Sequence, residues 1–192
     1  APRPLGTLVR PFIYLTALSQ GYSASSLTMD VQSIYLQDGR PYSPRNDDGE
    51  FLGPMRLREA LQSGRAVPTT QVLSWVGADR LLATAGALGL QPAAGSFTRE
   101  LALAGEGFPG ALLEVGRAFA AVANGGALSG LALDDELPRP ATIRRVTNAA
   151  GETLYEYTPQ TRGALSADLA YLWSDLLGAV GADCSAADCP GP

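Results

Sequence analysis

The chain has 192 residues, 46% of them apolar, a formal net charge of −5 and a pI near 4.7. That length fits one domain, and that apolar content sustains a substantial core, which excludes disorder as the default state. An acidic balance with no Lys/Arg run and no interleaved basic-aromatic stripe excludes a nucleic-acid surface.

In chain order, "LGTLVRPFIYLTALSQG" (5–21) opens with a short loop and runs into an apolar helix over 11–20. Pro11 is tolerated in the first turn of that helix and Gly21 suits its C-terminal stop. Residues 22–55 are rich in Asp, Asn, Gly and Pro and read as a long irregular segment of turns. "MRLREAL" predicts a helix near 55–63, "PTTQVLSWVG" another near 68–76, and "ADRLLATAGALGL" a third ended by Gly89. In "ALLEVGRAFAAVANGG" the residues Leu112, Val115, Phe119, Val122 and Ala123 recur close to a 3.6 period, with Asn124-Gly125-Gly126 as the stop. "ATIRRVTNAAGETLYEYTP" predicts two short strands around an Asn-Ala-Ala-Gly turn. "SADLAYLWSDLLGAV" places Leu169, Leu172, Trp173, Leu176, Leu177 and Val180 on one helical face, with Ser166 as N-cap and Asp168 in the first turn. The organisation is helix-rich with one hairpin. The domain spans 1–180, followed by a Cys/Pro-containing tail over 181–192.

Histidine is absent, which removes Ser-His-Asp triads, Cys-His pairs and HExxH zinc sites together. Cys184 and Cys189 have four residues between them and are candidates for a small disulfide loop in an oxidising compartment. Two thiolates alone make a poor metal site. Asp47, Asp48 and Glu50 in "NDDGE" invite a calcium reading, but the EF-hand pattern fails after Gly49, so a solvated turn is preferred. No metal or cofactor is expected. No stretch reaches the ~20 consecutive apolar residues of a membrane span. Tyr14, Trp75, Phe119 and Trp173 fall at helical core positions, and Glu106 reads as a loop charge.

The chemically suggestive pair is Thr7 and Arg10. Three residues apart at a helix start, they share one face and reproduce the spacing of an S-x-x-K nucleophile motif with both chemical residues changed. On the residues alone, Thr7 is expected to cap a backbone N–H. Arg10 is expected to pair with a nearby carboxylate or reach solvent. The sharper alternative gives Arg10 a substrate carboxylate, gripped bidentately.

Four segments then carry a resemblance: "GTLVRPFIYLTALSQGY", "GRPYSPRNDDGEFLGPMRLREAL", "LALAGEGFPGALLEVGRAFAAVANGG" and "IRRVTNAAGETLYEYTPQ". In this order and spacing, over about residues 5–180, the chain resembles the transpeptidase domain of class A penicillin-binding proteins. The resemblance implies an α+β, predominantly helical fold of the β-lactamase/transpeptidase kind, here a partial domain lacking much of the central sheet. It implies an extracytoplasmic, cell-envelope setting. It also implies a serine acyl-enzyme chemistry on peptidoglycan stem peptides, carried by S-x-x-K, S-x-N and K-[ST]-G motifs.

Each motif departs from that pattern. Threonine at 7 keeps the hydroxyl but crowds it with a methyl, and an arginine at 10, with a pKa above ~12, cannot accept the proton. The S-x-N position reads Gly64-Arg65-Ala66, or Ser63-Gly64-Arg65 if slid by one, and loses the orienting amide in either register. No Lys-Ser-Gly or Lys-Thr-Gly occurs. Three readings follow. The chain is a catalytically degenerate structural or interaction module of a peptidoglycan-associated cell-envelope protein, with stem peptides or other envelope proteins as partners, or an active D,D-transpeptidase acylated at Thr7, or a reversible binder of stem peptides through Arg10 and Arg65.

Overall fold

The structure is a computed structural model and describes residues 3–37, 39–90, 109–131 and 137–178. Cys184, Cys189, Glu106, Val180 and the 181–192 tail lie outside the described residues.

The architecture is built around one helix. A single 3-10 turn over Gly6–Val9 leads straight into α1 (Arg10–Ser19), in which every residue from Phe12 to Leu18 is buried. A helix that is apolar on all sides has no face for water, so it becomes the centre of the fold. Around it pack α2 (Leu57–Gln62), α3 (Ala66–Val76), α4 (Ala78–Ala87) and α6 (Ala167–Gly178). The amphipathic α5 (Leu112–Ala123) rests on α6. Phe12 of α1, Phe119 of α5 and Trp173 of α6 form an aromatic cluster with ring centroids 5.4–5.5 Å apart. The Trp173 indole also donates to the Pro11 carbonyl at 3.0 Å, in the first turn of α1 where the proline ring lies.

The helix ends follow local chemistry. Glu59 and Glu114 each reach back three residues, to the backbone N–H of Arg56 (2.9 Å) and of Ala111 (3.0 Å), satisfying donors at the starts of α2 and α5. Ser166 caps α6 by accepting the Leu169 N–H at 3.3 Å. Gly77, at φ +80°, is the one residue between α3 and α4.

Ten short strands pair two by two among the described residues, all antiparallel: β1 (Arg3–Pro4) with β6 (Pro109–Gly110), β2 (Leu27–Asp30) with β5 (Gly53–Arg56), β3 (Tyr35–Gln37) with β4 (Arg40–Tyr42), β7 (Ala127–Gly130) with β10 (Gln160–Gly163), and β8 (Arg145–Thr147) with β9 (Thr153–Glu156). The β8–β9 hairpin matches the sequence reading. Its turn is held by Asn148 Oδ1, which accepts the N–H groups of Ala150 and Glu152 at 3.0 and 2.9 Å.

Two expectations change. The segment 22–55 is not turns alone, since β2 to β5 lie in it, with β2 closing on β5 from Leu27↔Arg56 to Asp30↔Gly53. The α3 helix begins two residues before Pro68, which therefore stands in its first turn.

Candidate functional site

The 3-10 turn places Thr7 on the surface. Its carbonyl accepts the Arg10 backbone N–H, but its hydroxyl has no hydrogen-bond partner among the described residues. The expected capping role is therefore not taken up: the chain enters the helix through a 3-10 turn, and the preceding cap, Leu5, has no side-chain acceptor. Among the described residues no base is hydrogen-bonded to the hydroxyl either.

Arg10, half-buried at the first residue of α1, turns toward the α2–α3 junction. Its Nη1 donates to the carbonyl of Gly64. That contact brings the first and second motif positions together across 54 residues of chain. Gly64 is left-handed, at φ +63°, and a Cβ built there would come 3.8 Å from Arg10 Nη1. The expected carboxylate partner for Arg10 is replaced by a backbone carbonyl, because the junction loops back directly over the helix start. The Arg10 Nε is buried and has no hydrogen-bond partner among the described residues.

Beneath this contact, Tyr14 Oη and Thr69 Oγ1 are hydrogen-bonded at 3.0 Å, and Thr69 Oγ1 donates to the Arg65 carbonyl at 2.6 Å. Both side chains are buried. Burial pushes the Tyr14 phenol well above its usual value, so it stays protonated and serves as a donor, tying α1 to α3.

Arg65 points the other way, into a buried polar cluster. It is 7% exposed, and its Nε lies 3.1 Å from Oδ2 of Asp30, which has no exposed surface. Its Nη1 and Nη2 take the two oxygens of Asp48 at 3.1 and 3.0 Å, in a fork-on-fork arrangement. Asp30 is further held by Asn46 Nδ2 (2.7 Å) and the Leu52 N–H (3.0 Å), while Asn46 Oδ1 accepts the Val67 N–H (3.1 Å) at the start of α3. The Glu50 N–H and the Arg65 guanidinium hold the Asp48 carboxyl below the usual carboxylate range. So the acids of the "NDDGE" turn are exposed, as expected, but Asp48 is paired and Asn46, its first residue, is buried. Asp30, which no sequence motif marks, completes the cluster with Asn46.

Ser63 is exposed and donates to the Glu59 carbonyl at 2.6 Å, which closes α2, and Ala66 starts α3 with no polar group to offer. Among the described residues, no group of three or more metal-ligating side chains is found. A further fact, readable in the sequence, is that the chain contains no lysine: all 14 of its basic residues are arginines. With histidine also absent, this chain has no basic side chain able to take a proton near neutral pH.

No family model matches the chain. It is 30% identical over 161 residues to penicillin-binding protein 1A of Pseudomonas aeruginosa, which covers 83% of this chain and 18% of that protein. It is 27% identical over 180 residues to penicillin-binding protein 2D of Bacillus subtilis, covering 92% and 24%. The crystal structure of penicillin-binding protein 1A from Haemophilus influenzae superposes with a TM-score of 0.82 at 22% identity, over 99% of this chain and 31% of that one. The imipenem acyl-enzyme complex of penicillin-binding protein A from M. tuberculosis gives 0.82 at 18%, over 99% and 46%. The fold is thus that of the β-lactamase/transpeptidase class, in the form of a partial domain. The chain belongs to the penicillin-binding-protein transpeptidase-like family. It spans about a fifth of the length of the curated relatives it matches.

Proposed function

We propose that this chain is a catalytically degenerate transpeptidase-like module of a peptidoglycan-associated cell-envelope protein, in which the fold serves as a structural or interaction unit. One observation carries the reading. The residue at the proton-accepting position, Arg10, is a permanent cation whose guanidinium is committed to the Gly64 carbonyl. The exposed Thr7 hydroxyl has no hydrogen-bonded base among the described residues, and the sequence contains no lysine or histidine to supply one. The helical body that frames the site keeps its packing. Its similarity to penicillin-binding proteins supports a cell-envelope, extracytoplasmic location.

The test is intact mass spectrometry after incubation with penicillin G or imipenem, the latter forming an acyl-enzyme with the M. tuberculosis relative. The expected result is an unmodified chain whose circular dichroism shows the helical fold. A stoichiometric adduct mapped to Thr7 would overturn the reading and make this an acyl-transfer enzyme.

A second reading is favoured by the orphaned Arg10 Nε. A half-buried guanidinium with one carbonyl partner and no paired carboxylate among the described residues retains uncompensated charge. The cleft then holds stem peptides reversibly by their terminal carboxylate. Saturable, salt-sensitive binding of a D-Ala-D-Ala-terminated peptide that is lost in Arg10→Ala supports it, and indifference to Arg10→Ala sinks it.

A further inference from the structure

The two arginines of the cleft differ in one respect: among the described residues Arg10 has no carboxylate partner, and Arg65 has two. Of these, Asp30 is fully buried and fixed by three donors, whereas the Asp48 side chain is 51% exposed and sits on a surface loop. The Asp48 carboxylate grips the outer fork of Arg65 with both oxygens, the same geometry that an incoming carboxylate requires. Beside that contact lies a cavity of about 240 Å³, lined by Asn46, Asp48, Leu52, Ser63, Gly64 and Arg65. It adjoins the Gly64 carbonyl that Arg10 engages.

We propose that Asp48 is an internal carboxylate ligand of Arg65, and that a peptide ending in a free carboxylate binds this cavity by displacing it. The proposal rests on the carboxylate-binding reading of the cleft given above and assigns the second anchoring point. Its basis is charge. Arg10 and Arg65 contribute two positive charges, and Asp30, Asp48 and the rim residue Asp47 three negative ones, so the closed site presents one net negative charge to an anion. Moving Asp48 away leaves the site neutral, with an open guanidinium fork. Asp30 cannot do the same, because leaving would strip Asn46, the Leu52 N–H and Arg65 of an interior acceptor. Asp48 loses only one backbone donor, the Glu50 N–H, and its exposed side chain is readily rehydrated. The loop acid is therefore the removable one, and it weakens ligand binding by occupying the site first.

The experiment is isothermal titration of the full chain with an N-acetylated peptide ending in D-Ala-D-Ala, and with the same peptide as its C-terminal amide. Wild type, Asp48→Asn and Asp47→Asn are compared, each checked by circular dichroism. Asp48→Asn keeps an acceptor for the Glu50 N–H but removes the competing charge. Asp47→Asn removes an equal charge from the cavity rim, where no ion pair forms with Arg65. Asp48→Asn is expected to tighten the carboxylate peptide by about tenfold, with Asp47→Asn within twofold of wild type and the amide not bound. Equal effects of the two substitutions would reduce the role of Asp48 to general repulsion and overturn the proposal. Wild-type binding unchanged by Asp48→Asn overturns it while leaving the cleft reading intact. Absence of binding in every variant sinks both.

Discussion

Replacing Asp30 with alanine removes the interior end of the Arg65 cluster, and the cost can be worked from its contacts. The carboxylate has no exposed surface and takes three donors: Arg65 Nε at 3.1 Å, Asn46 Nδ2 at 2.7 Å and the Leu52 N–H at 3.0 Å. A hydrogen bond to a charged group contributes about 1.5–3 kcal/mol, but the donors left behind are themselves buried, so the relevant figure is that for breaking a buried ion pair, about 3–5 kcal/mol. Asp48 still neutralises Arg65 from outside, which argues for the lower half of that range. At about 2–4 °C per kcal/mol for a domain of this size, Tm falls by about 6–16 °C. Urea unfolding followed by circular dichroism measures the loss through Cm at unchanged m. A double substitution, Asp30→Ala with Arg65→Met, should recover part of the loss, because it also removes the stranded cation. A loss under about 1 kcal/mol, or a double variant as unstable as the two single losses added, would refute the argument that this cluster works as a closed ionic unit.

Three further outcomes are expected. Phe12→Ala, which removes a fully buried ring touching both Phe119 and Trp173, should cost about 3–5 kcal/mol in the same assay. Gly126→Ala should lower stability by at least about 1–2 kcal/mol, since φ is +90° and the new Cβ would meet the Leu165 carbonyl oxygen at 2.5 Å; unchanged Cm would contradict that geometry. The folded-state pKa of Asp48 is depressed, so its contribution is present above the unfolded value of about 3.9 and is lost as pH falls through the folded value. The difference in Cm between wild type and Asp48→Asn should therefore be flat from pH 5 to 8 and shrink below about pH 4.

What the sequence made legible was local. The nearly all-apolar run from Phe12 to Leu18 announced a buried helix, Ser166 the start of α6, and Asn-Ala-Ala-Gly a hairpin. The strands β2 and β5 escaped for a physical reason: β2 turns Thr28 and Asp30 inward and Leu27 and Met29 outward, the reverse of the usual pattern, and β5 contains a proline. The inward polar residues find partners far along the chain, Thr28 on Gln71 at 2.7 Å and Asp30 on Arg65. Strands β7 and β10 pair across some thirty residues, through Ala-Leu-Ser-Gly and Gln-Thr-Arg-Gly, which are too short and mixed to carry an apolar alternation. The site shows the same division. Spacing marked Thr7 and Arg10, and the family resemblance marked the 64–66 stretch. The partner of Arg10 is a backbone carbonyl, which no side-chain pattern reveals, and Asp30 sits in a segment that reads as turns.

These contacts bear on whether the altered motif positions are independent losses. The Gly64 carbonyl reaches Arg10 from a left-handed backbone, a conformation that costs a serine about 1–2 kcal/mol but glycine almost nothing. Arg65 follows directly, and its side chain is oriented away from Arg10 by Asp30 and Asp48. Reverting Arg10 to lysine alone would withdraw a planar donor from Gly64 and place an amine beside a carbonyl, still with no amide at Ala66. Reverting Gly64 to serine alone would add backbone strain and crowd the guanidinium. Under the proposed reading the substitutions form one packed unit, each favourable in the presence of the others. Such a unit is what selection for the fold, in the absence of selection for acyl transfer, leaves in an old active site.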